Sequence, residues 1–142
     1  MPLIKKFLKD ADFVFVGGAL ANNFFKKKGY EIGKSLVEKG DFKLVPLLKN
    51  KKLILPVDVV VGNKKVSIKK PENVDKNEIM YDVGPETIKE LEKLVKKSKF
   101  VLWNGPLGNY EKGFDKGTKK LLSVLAKSDA KTIIGGGDTR CI

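Results

Sequence analysis

The chain has 142 residues, 42% of them hydrophobic, and a formal net charge of +12 from 29 Lys and Arg against 17 Asp and Glu. This length fits one domain over residues 1–142, because a chain of this size buries about two-thirds of the surface that its unfolded form exposes. The composition argues against a disordered or membrane protein, since no apolar run approaches the roughly 18 residues of a transmembrane helix. The absence of histidine excludes Ser-His-Asp catalysis and histidine-based zinc sites, and the single Cys141 excludes an internal disulfide.

The N-terminal part is predicted to form a helix, a strand, a glycine turn and a second helix. Apolar residues on one helical face predict a helix over Met1–Asp10, and Phe13–Val16 has the composition of a short buried strand. Gly17 and Gly18 form the predicted turn. A second helical stripe over Leu20–Phe25 ends in three lysines and a glycine, as is typical of a helix C-terminus.

The middle of the chain is predicted to be less regular. Glycine and proline interrupt Ser35–Asn50, which predicts one broken helix or two short ones. The apolar run Leu53–Val61 predicts a strand bent at Pro56. Val66–Lys70 predicts an edge strand, followed by a polar loop that runs to Met80.

The C-terminal part alternates helices and strands. Pro85 stands where the first residue of a helix is favoured, and a second helix is predicted over Phe114–Ala126. Strands are predicted at Lys99–Trp103 and Lys131–Ile134. The alternation predicts an α/β fold of Rossmann-like, three-layer type, a parallel sheet with helices on both faces.

Three glycine-containing segments, each directly behind a predicted strand, are the candidate binding site. Residues without a Cβ atom allow backbone N–H groups to converge on an anion, and ligands of parallel sheets bind beyond the carboxyl ends of the strands. These segments therefore predict phosphate binding. The candidate residues are Gly17, Gly18, Asn104, Pro106, Glu111, Gly135, Gly136, Gly137, Asp138 and Thr139.

The side chains in these segments have suitable chemistry for a nucleotide. Asn104 can donate to a phosphate oxygen, Pro106 can lie flat against a ring, and Glu111 can accept from two ribose hydroxyls. Asp138 is the oxygen ligand that Mg²⁺ prefers, and Thr139 suits a terminal phosphate. The alternative for each segment is an ordinary tight turn, a solvated glutamate or a helix cap.

The segment Gly29–Ser35 (GYEIGKS) almost matches the phosphate-binding P-loop GxxxxGK[ST]. It is one residue short and follows a predicted helix, whereas a P-loop follows a strand. The sequence therefore favours a helix cap and turn here.

Six segments taken together resemble the C-terminal, nucleotide-binding domain of phosphoglycerate kinases. They occur in the family's order and cover nearly the whole chain: DFVFVGGALANNFF (12–25), GYEIGKSLVE (29–38), LPVDVVV (55–61), YDVGPET (81–87), WNGPLGNYE (103–111) and GGGDT (135–139). The resemblance implies phosphoryl transfer between 1,3-bisphosphoglycerate and ADP, with Mg²⁺ bound together with ADP or ATP. It places the family's ribose-binding glutamate at Glu111 and the metal ligand at Asp138. Asn109 departs from the aliphatic residue that the family has beside the adenine.

The resemblance also implies that the domain is incomplete at both ends. A phosphate-binding lysine of the family falls immediately before Met1, a glycine-rich segment follows Ile142, and a separate N-terminal domain holds the phosphoglycerate. We therefore expect this chain alone to bind adenine nucleotide weakly and to give no turnover. For the whole enzyme we expect a monomer in the cytoplasm, with no membrane or nucleic-acid partner.

Two other functions remain open from the residues alone. The lysines, scattered in pairs along the chain, allow a basic module that binds nucleic acid or another polyanion, although no aromatic residues interleave them. A folded domain that binds nothing is the third possibility.

Overall fold

The computed structural model describes residues 2–40 and 43–135. The elements run in chain order as α1 (Pro2–Asp10), β1 (Val14–Phe15), α2 (Gly18–Lys27), α3 (Val45–Leu48), β2 (Leu53–Ile54), β3 (Val59–Gly62), β4 (Val66–Lys69), a 3₁₀ turn (Pro71–Asn73), β5 (Ile79–Val83), α4 (Pro85–Lys97), β6 (Phe100–Asn104), a second 3₁₀ turn (Tyr110–Lys112), α5 (Lys116–Lys127) and β7 (Lys131–Gly135). Within these ranges no helix combines the length and the hydropathy that crossing a bilayer requires.

The described strands pair in three sheets. β1 pairs with β2 and β6 pairs with β7, both in parallel, whereas β4, β3 and β5 form an antiparallel sheet in that order. Helices alternating with parallel strand pairs confirm the predicted α/β, Rossmann-like class. The antiparallel sheet was not predicted, because β3 was assigned to the same strand as β2 and most of β5 received no strand prediction.

The β1–β2 pair is covered on both faces. Val14 and the residue paired with it, Leu53, pack against a core cluster that contains Phe24 of α2. Phe15, the next residue of β1, packs on the opposite side against a second cluster, which includes Leu91 of α4. Side chains alternate along a strand, so this pair has the layered arrangement that the sequence predicts.

The β6–β7 pair is covered on one face by the described residues. Trp103 and Ile134 point into the cluster formed with α4 and α5. On the other face Phe100, Leu102 and Ile133 are about half exposed, at 53%, 48% and 47%. Among the described residues, the prediction that both faces of the sheet are covered is therefore confirmed for β1–β2 but not for β6–β7.

The predicted strand Leu53–Val61 is wrong as a single element, because it divides between two sheets. Its first residues form β2, and its last residues, from Val59, belong to β3. Between them Pro56 has no N–H to donate, and the N–H groups of Val57 and Asp58 donate to the hydroxyl of Thr87 at 3.1 and 3.2 Å. The chain leaves one sheet here and enters the other.

The predicted helix over Ser35–Asn50 is largely wrong, since its described residues contain only the short α3. The side-chain amide of Asn22 donates to the carbonyl of Leu36 at 2.7 Å. Asn23 donates to the carbonyl of Glu38 at 2.9 Å and accepts from the N–H of Glu38 at 2.8 Å. These side chains of α2 satisfy backbone groups that a helix would otherwise use, and they hold the segment in a non-helical conformation.

β5 starts at Ile79, where the sequence predicts the end of a polar loop, and it contains a β-bulge. Val60 of β3 lies opposite Asp82, but the next residue, Val61, lies opposite Met80. Tyr81 therefore has no partner across the ladder. A bulge of this kind frees backbone groups for other contacts.

The Gly29–Ser35 segment forms a helix end and a turn. Gly29, with φ of 90°, donates its N–H to Lys26 at the end of α2. Gly33, with φ of 59°, packs so closely on the turn of Asp75 and Glu78 that a Cβ atom would meet both of their carbonyl oxygens. The segment follows a helix, as the sequence indicates, and thus lacks the strand that precedes a P-loop.

We expect Gly33→Ala to lower the free energy of unfolding by about 3 kcal/mol, because the new methyl group combines a positive φ with a clash against backbone atoms. Gly29→Ala is the matched control, since Gly29 also has positive φ but a Cβ atom added there would meet nothing within 4 Å. It should cost only about 1 kcal/mol. Urea unfolding measures both, and equal losses would contradict the predicted clash.

Candidate functional site

The carboxyl ends of β6 and β7 lie side by side. The two strands are parallel and in register, with Asn104 opposite Gly135. The glycine-containing segments that follow them therefore start from the same edge of the sheet. The first residues of the two predicted anion-binding segments, Asn104 and Gly135, are therefore neighbours across the ladder.

The glycine turn after β1 lies against the loop that follows β6. A Cβ atom on Gly17 would be 3.4 Å from the side chain of Leu107, and one on Gly18 would be 4.0 Å from the carbonyl oxygen of Pro106. Gly17 is the N-cap of α2, and no side chain of the described residues caps that helix end. The N–H groups of its first turn are therefore available, beside Pro106, for a negatively charged or polar group.

Glu111 lies on the segment that joins β6 to α5, residues 105–115, which we call the β6–α5 loop. Glu111 is exposed within the 3₁₀ turn of this loop. Before that turn, the N–H of Leu107 donates to the buried hydroxyl of Thr118 at 2.9 Å, and the N–H of Asn109 donates to the carbonyl of Tyr81 at 2.8 Å. The loop is thus fixed by neighbouring elements.

Asn109 also makes backbone hydrogen bonds within the β6–α5 loop. Its carbonyl oxygen accepts from the N–H groups of Lys112 and Phe114, both at 3.1 Å. With the N–H of Asn109 bound to Tyr81, both backbone groups of this residue are engaged. The loop is therefore anchored at this position by backbone groups, independently of the Asn109 side chain.

Asp82 is a buried carboxylate at the base of this loop. It is 7% exposed and accepts from the N–H of Val83 at 2.8 Å and from the N–H of Gly117, in the first turn of α5, at 2.9 Å. Burial raises the pKa of Asp82 above its ordinary 3.8, the two N–H groups oppose this rise, and the charge of Asp115 adds to it. Asp82 thus caps α5 from another element of the fold.

Aromatic and charged contacts add to the hydrogen bonds of the loop. The rings of Tyr81 and Phe114 stack with centroids 4.2 Å apart and 3° between their planes, and the ammonium of Lys112 lies 5.8 Å from the Tyr81 centroid. Asp115 pairs with Lys119 at 2.9 Å, and this hydrogen bond lowers the pKa of Asp115 below 3.8. These contacts add to the anchoring of the loop.

The predicted site residues fall into two groups. Gly17, Gly18, Asn104, Pro106 and Gly135 lie along one rim of the fold, and Glu111 lies on the loop that leaves this rim. Gly136, Gly137, Asp138 and Thr139 lie outside the described residues. Across residues 2–40 and 43–135, no three acidic or cysteine side chains gather as a metal site. Asp138 is not among these residues, and its magnesium role stays a prediction.

Sequence reasoning did not identify Asp82 or Thr118. Both accept hydrogen bonds from residues distant in the sequence: Asp82 from Gly117, 35 residues away, and Thr118 from Leu107, 11 residues away. The available signal was an aspartate inside the otherwise apolar and aromatic strand IMYDV. A charged residue in such a strand indicates a buried hydrogen-bonding role.

The comparisons with known proteins agree on one family. The family model described as phosphoglycerate kinase matches residues 1–142. The chain is 40% identical over 149 residues to a phosphoglycerate kinase of Coxiella burnetii, and 40% identical over 152 residues to one of Malacoplasma penetrans. These alignments cover 96% and 98% of this chain but 38% and 32% of the relatives, so the chain spans less than two-fifths of their length.

Solved structures show the same relation. The phosphoglycerate kinase structure from Coxiella burnetii matches with a TM-score of 0.86 and 38% identity, over 98% of this chain and 39% of that one. The structure of the enzyme from Pyrococcus horikoshii matches with a TM-score of 0.75 at 24% identity, over 96% of this chain and 38% of that one, which supports the fold alone.

We expect Thr118→Val to lower the free energy of unfolding by about 1–3 kcal/mol, because the buried N–H of Leu107 would lose its acceptor. Thr118→Ser keeps the hydroxyl and should cost less, about 1 kcal/mol for the lost methyl group. Urea unfolding of the two variants makes the comparison. A larger loss in the serine variant would show that packing, and not the hydrogen bond, dominates at this position.

Asp82 predicts a specific pH dependence. Its pKa is raised in the folded protein, so the folded state binds a proton more readily than the unfolded state. The free energy of unfolding of the wild type, relative to Asp82→Asn, should therefore increase as the pH falls through the folded pKa of Asp82, and level off below 3.8. Urea unfolding of both proteins between about pH 7 and about pH 3.5 measures this difference, and a decrease on acidification would contradict the assignment.

Proposed function

Because the chain belongs to the phosphoglycerate kinase family, we propose that it is the part of such a kinase that binds Mg-ADP or Mg-ATP. The whole enzyme would transfer a phosphoryl group between 1,3-bisphosphoglycerate and ADP, in the cytoplasm and as a monomer. The observation that carries this proposal is the convergence of the Gly17–Gly18 turn with the loop after β6 at one rim. The register of β6 and β7 supports it, since both strands end at that rim.

Each predicted residue has a role in this proposal. The N–H groups at the start of α2, which follow Gly17, would contact the nucleotide. Pro106, which lies beside Gly18, would pack against the ring of the nucleotide base. Glu111, exposed on the anchored loop, would accept from the ribose hydroxyls. The polyphosphate would extend toward the ends of β6 and β7, where Asn104 and Gly135 lie opposite each other.

The remaining candidates follow β7 directly. Gly136, Gly137 and Thr139 would donate N–H groups to the terminal phosphates, and Asp138 would hold Mg²⁺ together with phosphate oxygens. Magnesium would neutralise charge on the phosphates. No histidine or other general base is needed on this chain, because the attacking β-phosphate oxygen of ADP is already ionised.

Phosphoryl transfer depends on positioning and charge neutralisation, and both substrates must be held together. This chain corresponds to less than two-fifths of its relatives, and in this proposal the phosphoglycerate is held by the part of the enzyme that the chain does not span. We therefore expect no ATP formation by the 142-residue chain in a coupled assay with 1,3-bisphosphoglycerate and Mg-ADP. Measurable turnover would overturn the division of substrates between the two halves.

Mg-ADP at millimolar concentration should raise the melting temperature of the chain, because a ligand that binds only the folded state stabilises it. Glu111→Gln and Asp138→Ala should each reduce the rise. Glu72→Gln is the control, since Glu72 is also an exposed glutamate in the middle of a 3₁₀ turn but lies in the connection between β4 and β5. It should leave the rise unchanged.

Two other results would replace this proposal. Salt-sensitive binding to duplex DNA without any dependence on Mg²⁺ would favour a basic polyanion-binding module, consistent with the charge of +12. Unchanged melting temperatures with both Mg-ADP and DNA would favour a folded domain without a ligand.

A further inference from the structure

The Asp82 carboxylate joins its own strand β5 to α5, the helix that follows the β6–α5 loop. One oxygen accepts from its own strand, at Val83, and the other accepts from Gly117 in α5. Gly108, in the loop itself, packs so tightly on this carboxylate that a Cβ atom there would lie 2.6 Å from it. The carboxylate therefore contacts both the loop and the helix in which the loop ends.

Tyr81, the neighbour of Asp82 in the bulge of β5, holds the middle of the same loop. Its carbonyl accepts from Asn109 and its ring stacks on Phe114. These two contacts lie on either side of Glu111 in the sequence. The position of the exposed Glu111 is thus set by the dipeptide Tyr81–Asp82.

We propose that Asp82 is a positioning residue for nucleotide binding, which fixes the β6–α5 loop so that Glu111 meets the ribose. The role in nucleotide binding rests on the proposed function, but the role of Asp82 in holding the loop does not. Loss of the bond to Gly117 should loosen the loop whether or not a nucleotide binds. Asp82 itself makes no contact with the nucleotide in this proposal.

Asp58 is a matched control for Asp82, because it is a second buried carboxylate that caps a helix. This carboxylate is 6% exposed, against 7% for Asp82, and it caps α4 from outside by accepting from the N–H groups of Glu86 at 3.0 Å and Thr87 at 2.8 Å. It also contacts a glycine closely, Gly84, as Asp82 contacts Gly117. Asp58 therefore has the same kind of buried capping role as Asp82, without an observed bond to the β6–α5 loop.

The test compares Asp82→Asn with Asp58→Asn in the 142-residue chain. Each substitution places an amide NH₂ group against a backbone N–H, so both should lower the melting temperature. Only Asp82→Asn should accelerate hydrogen exchange at the amides of Leu107, Asn109, Lys112 and Phe114, by about tenfold, and weaken Mg-ADP binding by about tenfold in calorimetric titration. Asp58→Asn should leave both quantities within about twofold of the wild type, once exchange is corrected for global stability.

A second pair of variants covers the case in which Asp82→Asn does not fold. In Gly117→Ala the new methyl group would lie 2.5 Å from the Asp82 carboxylate and displace it, and Gly84→Ala does the same to Asp58. Gly117→Ala should reproduce the selective effect on the loop, and Gly84→Ala should not.

The outcomes separate the two proposals. Equal effects of the Asp82 and Asp58 variants on loop exchange would overturn the positioning role. Absence of Mg-ADP binding by the wild type would overturn the proposed function, and the exchange data alone would then decide whether Asp82 holds the loop. Loosening of the loop by Asp82→Asn with unchanged Mg-ADP affinity would overturn the role of Asp82 in binding.

Discussion

Buried carboxylates at the N-termini of α4 and α5 are the constraint on which this fold depends. The N-cap residues of the two helices, Gly84 and Asp115, make no side-chain capping bond within the described structure. Asp58 and Asp82 provide the acceptors from outside the helices. A helix N-terminus carries partial positive charge and unpaired N–H groups, so an aspartate there is stabilised even when it is buried.

The two carboxylates are linked through the antiparallel sheet. β3 begins at Val59, directly after Asp58, and pairs with β5, in which Asp82 lies opposite Val60. The pairing of β3 with β5 therefore fixes the N-terminus of α4 relative to that of α5. The antiparallel sheet contributes no candidate binding residue, but its strand β5 contacts the candidate loop at Asn109 and the helix after the loop at Gly117.

The elements that could be predicted from the sequence are those determined by local patterns. Pro85 marks the start of α4, short apolar runs identify β6 and β7, and a helical stripe of leucines identifies α5. The rim was also predictable, because the ends of parallel strands fall on one edge. The Ser35–Asn50 segment was not, since the acceptors and donors that fix it belong to Asn22 and Asn23 of α2.

The division of Leu53–Val61 depends on a contact of the same long-range kind, with the hydroxyl of Thr87. The same reason explains why Asp82 and Thr118 were missed as supports of the loop. Hydrophobic periodicity reports which face of an element is buried, but it does not report which polar groups meet across the fold. Such pairs become visible only when the elements are assembled.

The unpaired residue in β5 has a consequence for how this protein can tolerate change in chain length. Tyr81 can bind Asn109 because it has no partner in the ladder. Deletion of one residue from β5 would close the bulge, and the strand could no longer present both a free backbone carbonyl to Asn109 and the Asp82 carboxylate to α5. The backbone contact to Asn109 therefore requires the extra residue between Met80 and Asp82 whatever its side chain, so an insertion or deletion in this strand would disturb the loop even where every side-chain contact could be replaced.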